Sequence, residues 1–165
     1  TNLKQFFMRY GLVLMLASLV FISCNKKKYE RVTSYNDKVV SYIEQSERTM
    51  KVWNTTNFMQ EYTIKKQNSV TRLLNMQDSL NNLTPLEDDD TLRLAGLSMI
   101  ENYLNAFAIF DTVHKMLSDS LFLKEDSIRV QELLRSNQNM LKQQAESFME
   151  TQKRFSARYE LPFLE

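Results

Sequence analysis

Glycine and proline are almost missing from this chain, with two of each in 165 residues. Glycine adopts positive φ without strain and proline presets turns, so their scarcity excludes glycine-rich phosphate loops, tight hairpins and the many connections of a β-sandwich. Cysteine occurs once, at Cys24, and histidine once, at His114. One cysteine cannot close an intramolecular disulfide or complete a Cys-x-x-Cys-His haem attachment site. One histidine cannot supply the paired imidazoles of a zinc site, and no Glu-x-x-His occurs to build a di-iron bundle. An excess of charge is missing too. The chain holds 21 basic and 20 acidic side chains; without residues 1–23, which contain Lys4 and Arg9, 19 and 20 remain, a net charge of −1. That provides no field for nucleic acid, which is excluded as a partner.

What is present begins with an apolar run ending at the cysteine, Leu12-Val13-Leu14-Met15-Leu16-Ala17-Ser18-Leu19-Val20-Phe21-Ile22-Ser23-Cys24. Lys4 and Arg9 form a positive n-region ahead of it, and Ser23 is the small residue before Cys24. This is the layout of a secretory signal, with residues 1–23 removed. The uninterrupted run is about 14 residues, whereas a membrane-spanning helix takes about 20, so permanent spanning is the weaker reading. The alternatives for Cys24 are an ordinary signal peptide or an uncleaved anchor in which the cysteine is incidental.

Residues 26–34 read as a tether, and Ser34 or Asn36 as the N-cap of a first helix in a domain covering residues 35–165. Val39, Ile43, Ser46, Met50 and Trp53 recur at spacings of four and three and share one helical face. Asn57 and Gln60 have capping-box spacing and open a second helix with Tyr62, Val70, Leu73, Gln77, Leu80 and Leu83 inward; Lys65-Lys66-Gln67-Asn68 is its least helical stretch. Pro85 ends it. Asp88-Asp89-Asp90 lacks the alternating ligands and glycine of a calcium loop, and Asp90 reads as the N-cap of a third helix, with the acidic run opposing its dipole.

That third helix, 91–118, is the most apolar piece. Leu92, Gly96, Met99, Tyr103, Ala106, Phe110, Val113 and Leu117 form one stripe, widened by Leu97, Ile100, Leu104 and Phe107, broad enough to face two neighbours. Residues 119–125 form a connection in which Leu121, Phe122 and Leu123 fold back onto the bundle end. The last helix, 126–159, carries Val130, Leu134, Asn137, Leu141, Ala145, Phe148, Gln152, Phe155 and Tyr159, and Leu161-Pro162-Phe163-Leu164 reads as an apolar clip that tucks against the bundle end, the alternative being a free docking peptide. The expected fold is all-α, a four-helix up-down-up-down bundle.

No catalytic template finds its parts. Serines and acids are plentiful, but no base partner activates a nucleophile, and an enzyme is not expected. Noncovalent haem on His114 and a methionine is conceivable in a bundle, yet the nine methionines, including Met8 and Met15 of the leader, scatter over different faces as core fillers do. No cofactor and no metal site is expected.

One triplet recurs: Asp78-Ser79-Leu80, Asp90-Thr91-Leu92, Asp111-Thr112-Val113, Asp119-Ser120-Leu121 and Asp126-Ser127-Ile128, using five of the eight aspartates. About half a match would be expected at ordinary Ser and Thr frequencies. Helix capping could explain Asp90, Asp119 and Asp126 but not Asp78 and Asp111, which fall inside predicted helices.

Phe21-Ile22-Ser23-Cys24 resembles a bacterial lipobox, in its relaxed Bacteroidota form with Phe21 where leucine is usual. The resemblance implies diacylation of Cys24 and anchorage to a membrane through it, at about 0.8 kcal/mol per buried methylene. Surface-exported lipoproteins of that type carry acidic residues after the cysteine; Lys26-Lys27-Lys28 does not match, which places the chain on the outer membrane facing the periplasm. The triplet resembles the Bacteroidota O-glycosylation acceptor, which implies modification at Ser79, Thr91, Thr112, Ser120 and Ser127. From Tyr35-Asn36-Asp37 to Phe155-Ser156-Ala157-Arg158-Tyr159 the chain resembles a group of small bacterial lipoproteins with a cysteine anchor and four amphipathic helices, a group that brings no activity with it. The expectation is a noncatalytic, lipid-anchored cell-envelope protein that binds an envelope protein partner or supports the envelope. The alternative is a carrier holding an apolar small molecule or haem inside the bundle.

Overall fold

The computed structural model describes the backbone of residues 2–54, 61–86 and 89–163, and the side chains of residues 26–53, 61–86 and 89–163. Helix α1 spans Asn2–Lys51 and ends in a 3-10 turn, Val52–Asn54; α2 spans Tyr62–Asn81, α3 Thr91–Leu117 and α4 Lys124–Arg158. Among the described residues there is no strand. The fold is the expected all-α four-helix bundle. The chain divides into two compact units, Thr1–Asn36 and Asp37–Glu165, the second holding the bundle core.

The helix start expected at Ser34 or Asn36 is not found: α1 crosses residues 24–34 without a break. No glycine or proline lies between positions 12 and 84. The polar residues of the expected tether serve the helix instead, since Thr33 Oγ1 donates to the Tyr29 carbonyl at 2.9 Å and Lys26 lies 4.0 Å from Glu30 one turn on. At α2 the expected cap, Asn57 with Gln60, lies outside the described residues. The helix opens at Tyr62, after Glu61 in left-handed geometry at φ 54°.

The stripes of α1 and α3 bury as their spacing dictates, and those of α2 and α4 in part, with Val70, Gln77, Leu83, Leu134, Leu141, Ala145, Gln152 and Tyr159 half-buried. Val39, Ile43, Ser46, Met50 and Trp53 of α1 are buried, as are Tyr62, Leu73 and Leu80 of α2. Every member of the α3 stripe from Leu92 to Val113 is buried, together with Ile100 and Phe107, and α3 packs against both α2 and α4. Gly96 makes this closeness possible. A Cβ built there would lie 3.2 Å from Leu80 Cδ1, 3.3 Å from Ile43 Cδ1 and 3.4 Å from Val39 Cγ1, so three apolar side chains from two helices converge where α3 has no side chain. In α4, Val130, Asn137, Phe148 and Phe155 are buried. The chain then reverses at Glu160, φ 55°, and the Leu161 amide donates to the Ser156 carbonyl at 2.9 Å, which tucks Leu161 in as expected; Leu164 lies outside the described residues.

Two connections differ from expectation. Asp90 occupies the N-cap position of α3 without a side-chain capping bond. Asp89 does that work, its Oδ1 accepting from the Thr91 amide at 3.0 Å and from Thr91 Oγ1 at 2.6 Å, while Asp90 takes Arg93 Nε at 2.8 Å. Between α3 and α4, Leu121, Phe122 and Leu123 do not fold back: they are 78%, 37% and 62% exposed. Asp119 Oδ1 accepts the Leu121 amide and Asp126 Oδ2 the Leu123 amide, both at 2.9 Å. These two bonds fix the turn backbone with its apolar side chains outward and start α4 at Lys124 rather than Asp126.

Asn137 is 1% exposed, and its Oδ1 has no hydrogen-bond partner among the described residues. An unpaired buried amide oxygen costs about 1–3 kcal/mol. Asn137→Leu is therefore expected to raise the urea midpoint at unchanged slope, and a lowered midpoint would show that the amide contributes stability. Gly96→Leu should do the reverse, lowering stability by about 1–3 kcal/mol through overpacking; a midpoint within error of the parent would contradict the close approach.

Candidate functional site

The 3-10 turn after α1 buries Trp53 against α3. Its ring stacks on Phe110 (centroids 5.1 Å apart, 13° between planes) and meets Phe107 and Tyr62 edge-on, while its Nε1 donates to Ser69 Oγ at 3.0 Å. Tyr62, the first residue of α2, also stacks on His114 at 4.1 Å between centroids. The Tyr62 hydroxyl donates to Asp111 Oδ1 at 2.7 Å, and Lys66 Nζ donates to both oxygens of Asp111, at 2.7 and 2.6 Å. A polar cluster of Tyr62, Lys66, Asp111 and His114 thus sits beside an aromatic one, joining α2 to α3.

Burial pushes the Asp111 carboxyl up, but the hydrogen bonds from Lys66 and Tyr62 and the charges of Lys66 and His114 outweigh it and hold the group below its ordinary range. Burial, then the bond to Asp111 and its charge, push the Tyr62 hydroxyl well above the usual phenol range. Tyr62 therefore stays a donor and Asp111 an acceptor with three bonds already made. Such an arrangement clamps two helices. His114, the one candidate for haem, is engaged face to face with Tyr62.

Grooves mark the bundle surface among the described residues. One, of about 470 Å³, lies between α1, α3 and α4, with Met50, Tyr103, Leu141 and Ala145 along its floor and Glu47, Lys51, Gln138 and Lys142 around them. Burial, reinforced by the negative charge of Glu47, pushes the Tyr103 hydroxyl far up. Another, of about 450 Å³, lies where the start of α3 meets the end of α4, lined by Asp89, Thr91, Leu94, Arg154, Phe155 and Arg158 among others. Its acid is already spent, because Asp89 also accepts Arg158 Nη1 at 3.0 Å. Among the described residues no group of three or more His, Cys, Asp or Glu could hold a metal, and no helix is long and apolar enough to cross a membrane.

The residues singled out from sequence fall in different settings. The Cys24 side chain lies outside the described residues. Ser79 and Thr112 sit inside helices with their hydroxyls donating to carbonyls one turn back, Asn75 at 2.8 Å and Ala108 at 2.9 Å. Thr91 is held by Asp89, Ser127 lies in the first turn of α4, and Ser120 is exposed in the α3–α4 turn. Nothing brings the five together. Sequence reading missed the Lys66–Asp111 clamp, although both halves carried a signal: Lys66 interrupts the apolar stripe of α2, and Asp111 is one of the two triplet aspartates that capping could not explain.

A depressed carboxyl contributes stability above its unfolded value and loses it as pH falls through its lower folded value. Asp111→Asn should lower stability by about 1 kcal/mol at neutral pH, given a half-exposed pair. The gap to the parent should close as pH falls below the ordinary carboxyl value of 3.8. A gap of the same size from pH 7 to pH 2 would show that Asp111 acts through packing instead of charge. Family models, curated proteins and solved structures yield no match to this chain.

Proposed function

We propose that this chain is a noncatalytic, lipid-anchored protein of the cell envelope, held at the outer membrane through Cys24 on the periplasmic side, and that its bundle binds an envelope protein partner. The leader supports the anchor: a positive n-region, a short apolar run, a small residue and then the cysteine. The observation that carries the interaction reading is the α3–α4 turn. Leu121, Phe122 and Leu123, with Ile128 on the next turn of α4 at 53% exposure, present apolar surface on a backbone that Asp119 and Asp126 hold in place. Exposed apolar groups held in a fixed conformation suit a surface that a partner covers. Polar residues would cap a helix pair equally well.

A carrier is the second reading, supported by the groove between α1, α3 and α4, whose volume lies within the range of small-molecule sites. Haem gains no support, because His114 does not line that groove. O-glycosylation, if it occurs on the folded chain, is proposed at Ser120, the acceptor hydroxyl that lies in a turn rather than a helix.

Cys24→Ala should move the processed protein from the membrane fraction to the soluble periplasmic fraction; a processed variant that stays with membranes defeats the anchor. Replacing Leu121 and Leu123 by serine should leave stability within about 0.5 kcal/mol, since both are exposed. Crosslinking of whole envelopes should capture a protein adduct with the parent chain and none with this variant. An unchanged adduct would remove the turn from the interface.

A further inference from the structure

The groove between α1, α3 and α4 carries charges of both signs over an apolar floor. Glu47, half-buried on α1, has no hydrogen bond or ion pair among the described residues, and its field reaches the buried Tyr103 hydroxyl. Lys51 follows one helical turn later and is exposed without an ion pair, although Glu at i and Lys at i+4 is the favoured order for pairing along a helix. Across the groove Lys142 reaches Glu146 only at 3.8 Å with most of its side chain in solvent. Met50, Leu141 and Ala145 line the space between these charges. A half-buried carboxylate is stabilised by a cation and a hydrogen-bond donor; the neighbouring ammonium groups favour an anion at the mouth.

We propose that this groove binds an amphiphilic zwitterion. Its ammonium sits against Glu47 and the Tyr103 hydroxyl, its anionic group between Lys51 and Lys142, and its apolar body over Met50, Leu141 and Ala145. This rests on the carrier reading and names the chemistry of the cargo. An ethanolamine lysophospholipid and a short apolar peptide share that chemistry, and the two sources are separated by the probes.

Native mass spectrometry of the full chain in a non-ionic detergent tests it with three probes: lysophosphatidylethanolamine, the dipeptide Leu-Leu, and a monoacylglycerol with the lysolipid's tail and an uncharged head. One zwitterion should bind saturably at one copy per chain and at least about tenfold more tightly than the monoacylglycerol, as charge-assisted hydrogen bonds require. Glu47→Gln should remove about that preference, and Ala145→Phe, which fills the groove without touching a charge, should remove binding; circular dichroism confirms that both variants fold. A monoacylglycerol that binds as well as the zwitterions overturns the inference and leaves a carrier of apolar molecules. Binding of no probe, or binding untouched by both variants, overturns the inference and the carrier reading of this groove together.

Discussion

The bundle depends on how closely the other helices approach α3. Its apolar stripe is wide enough to meet two neighbours, and at Gly96 the side chains of Val39, Ile43 and Leu80 converge where α3 presents only backbone. A convergence of side chains this close leaves little room for a larger residue at position 96. Since α3 also packs along α4, one helix organises the remaining three. The clamp at the opposite end works differently. There Trp53 fills space between aromatic rings, and Lys66 with Tyr62 ties α2 to Asp111. An apolar crossing at one end and an aromatic and ionic joint at the other hold the same pair of helices, which fixes their register along the whole length of α2.

The parts of the fold that follow from helical periodicity were legible in the chain. Apolar residues at spacings of three and four identify a buried face, so Val39 to Trp53 and Leu92 to Val113 bury as read, while in α4 Val130, Asn137, Phe148 and Phe155 are buried and Leu134, Leu141, Ala145 and Gln152 between them are half-buried. Features set by single side-chain to backbone bonds were not legible. Leu121, Phe122 and Leu123 read as apolar residues that should fold inward, and only the Asp119 and Asp126 carboxylates, by holding the turn, keep them outside. Likewise the difference between Asp89 and Asp90 at the start of α3 is one of direction, which three adjacent aspartates do not reveal. Residues 26–34 read as a tether because they are polar, yet polarity without glycine or proline is compatible with helix.

The candidate site shows the same division. The expectation of no catalytic site rested on composition, with one histidine and one cysteine in the chain. The Lys66–Asp111 pair spans 45 positions, and the groove draws its walls from three helices; neither relation is encoded by local spacing. What the sequence did carry was an apolar run that ends in a cysteine, and the bundle offers an exposed apolar turn and a charged groove. A tethered module needs only these two things, an anchor and a surface to be covered.

The anchor is the premise on which that functional reading stands, and one mass measures it. Intact protein extracted from its own membranes should begin at Cys24 and carry the added mass of acyl chains, with any hexose read in the same spectrum. An unmodified chain still bearing residues 1–23 would contradict it.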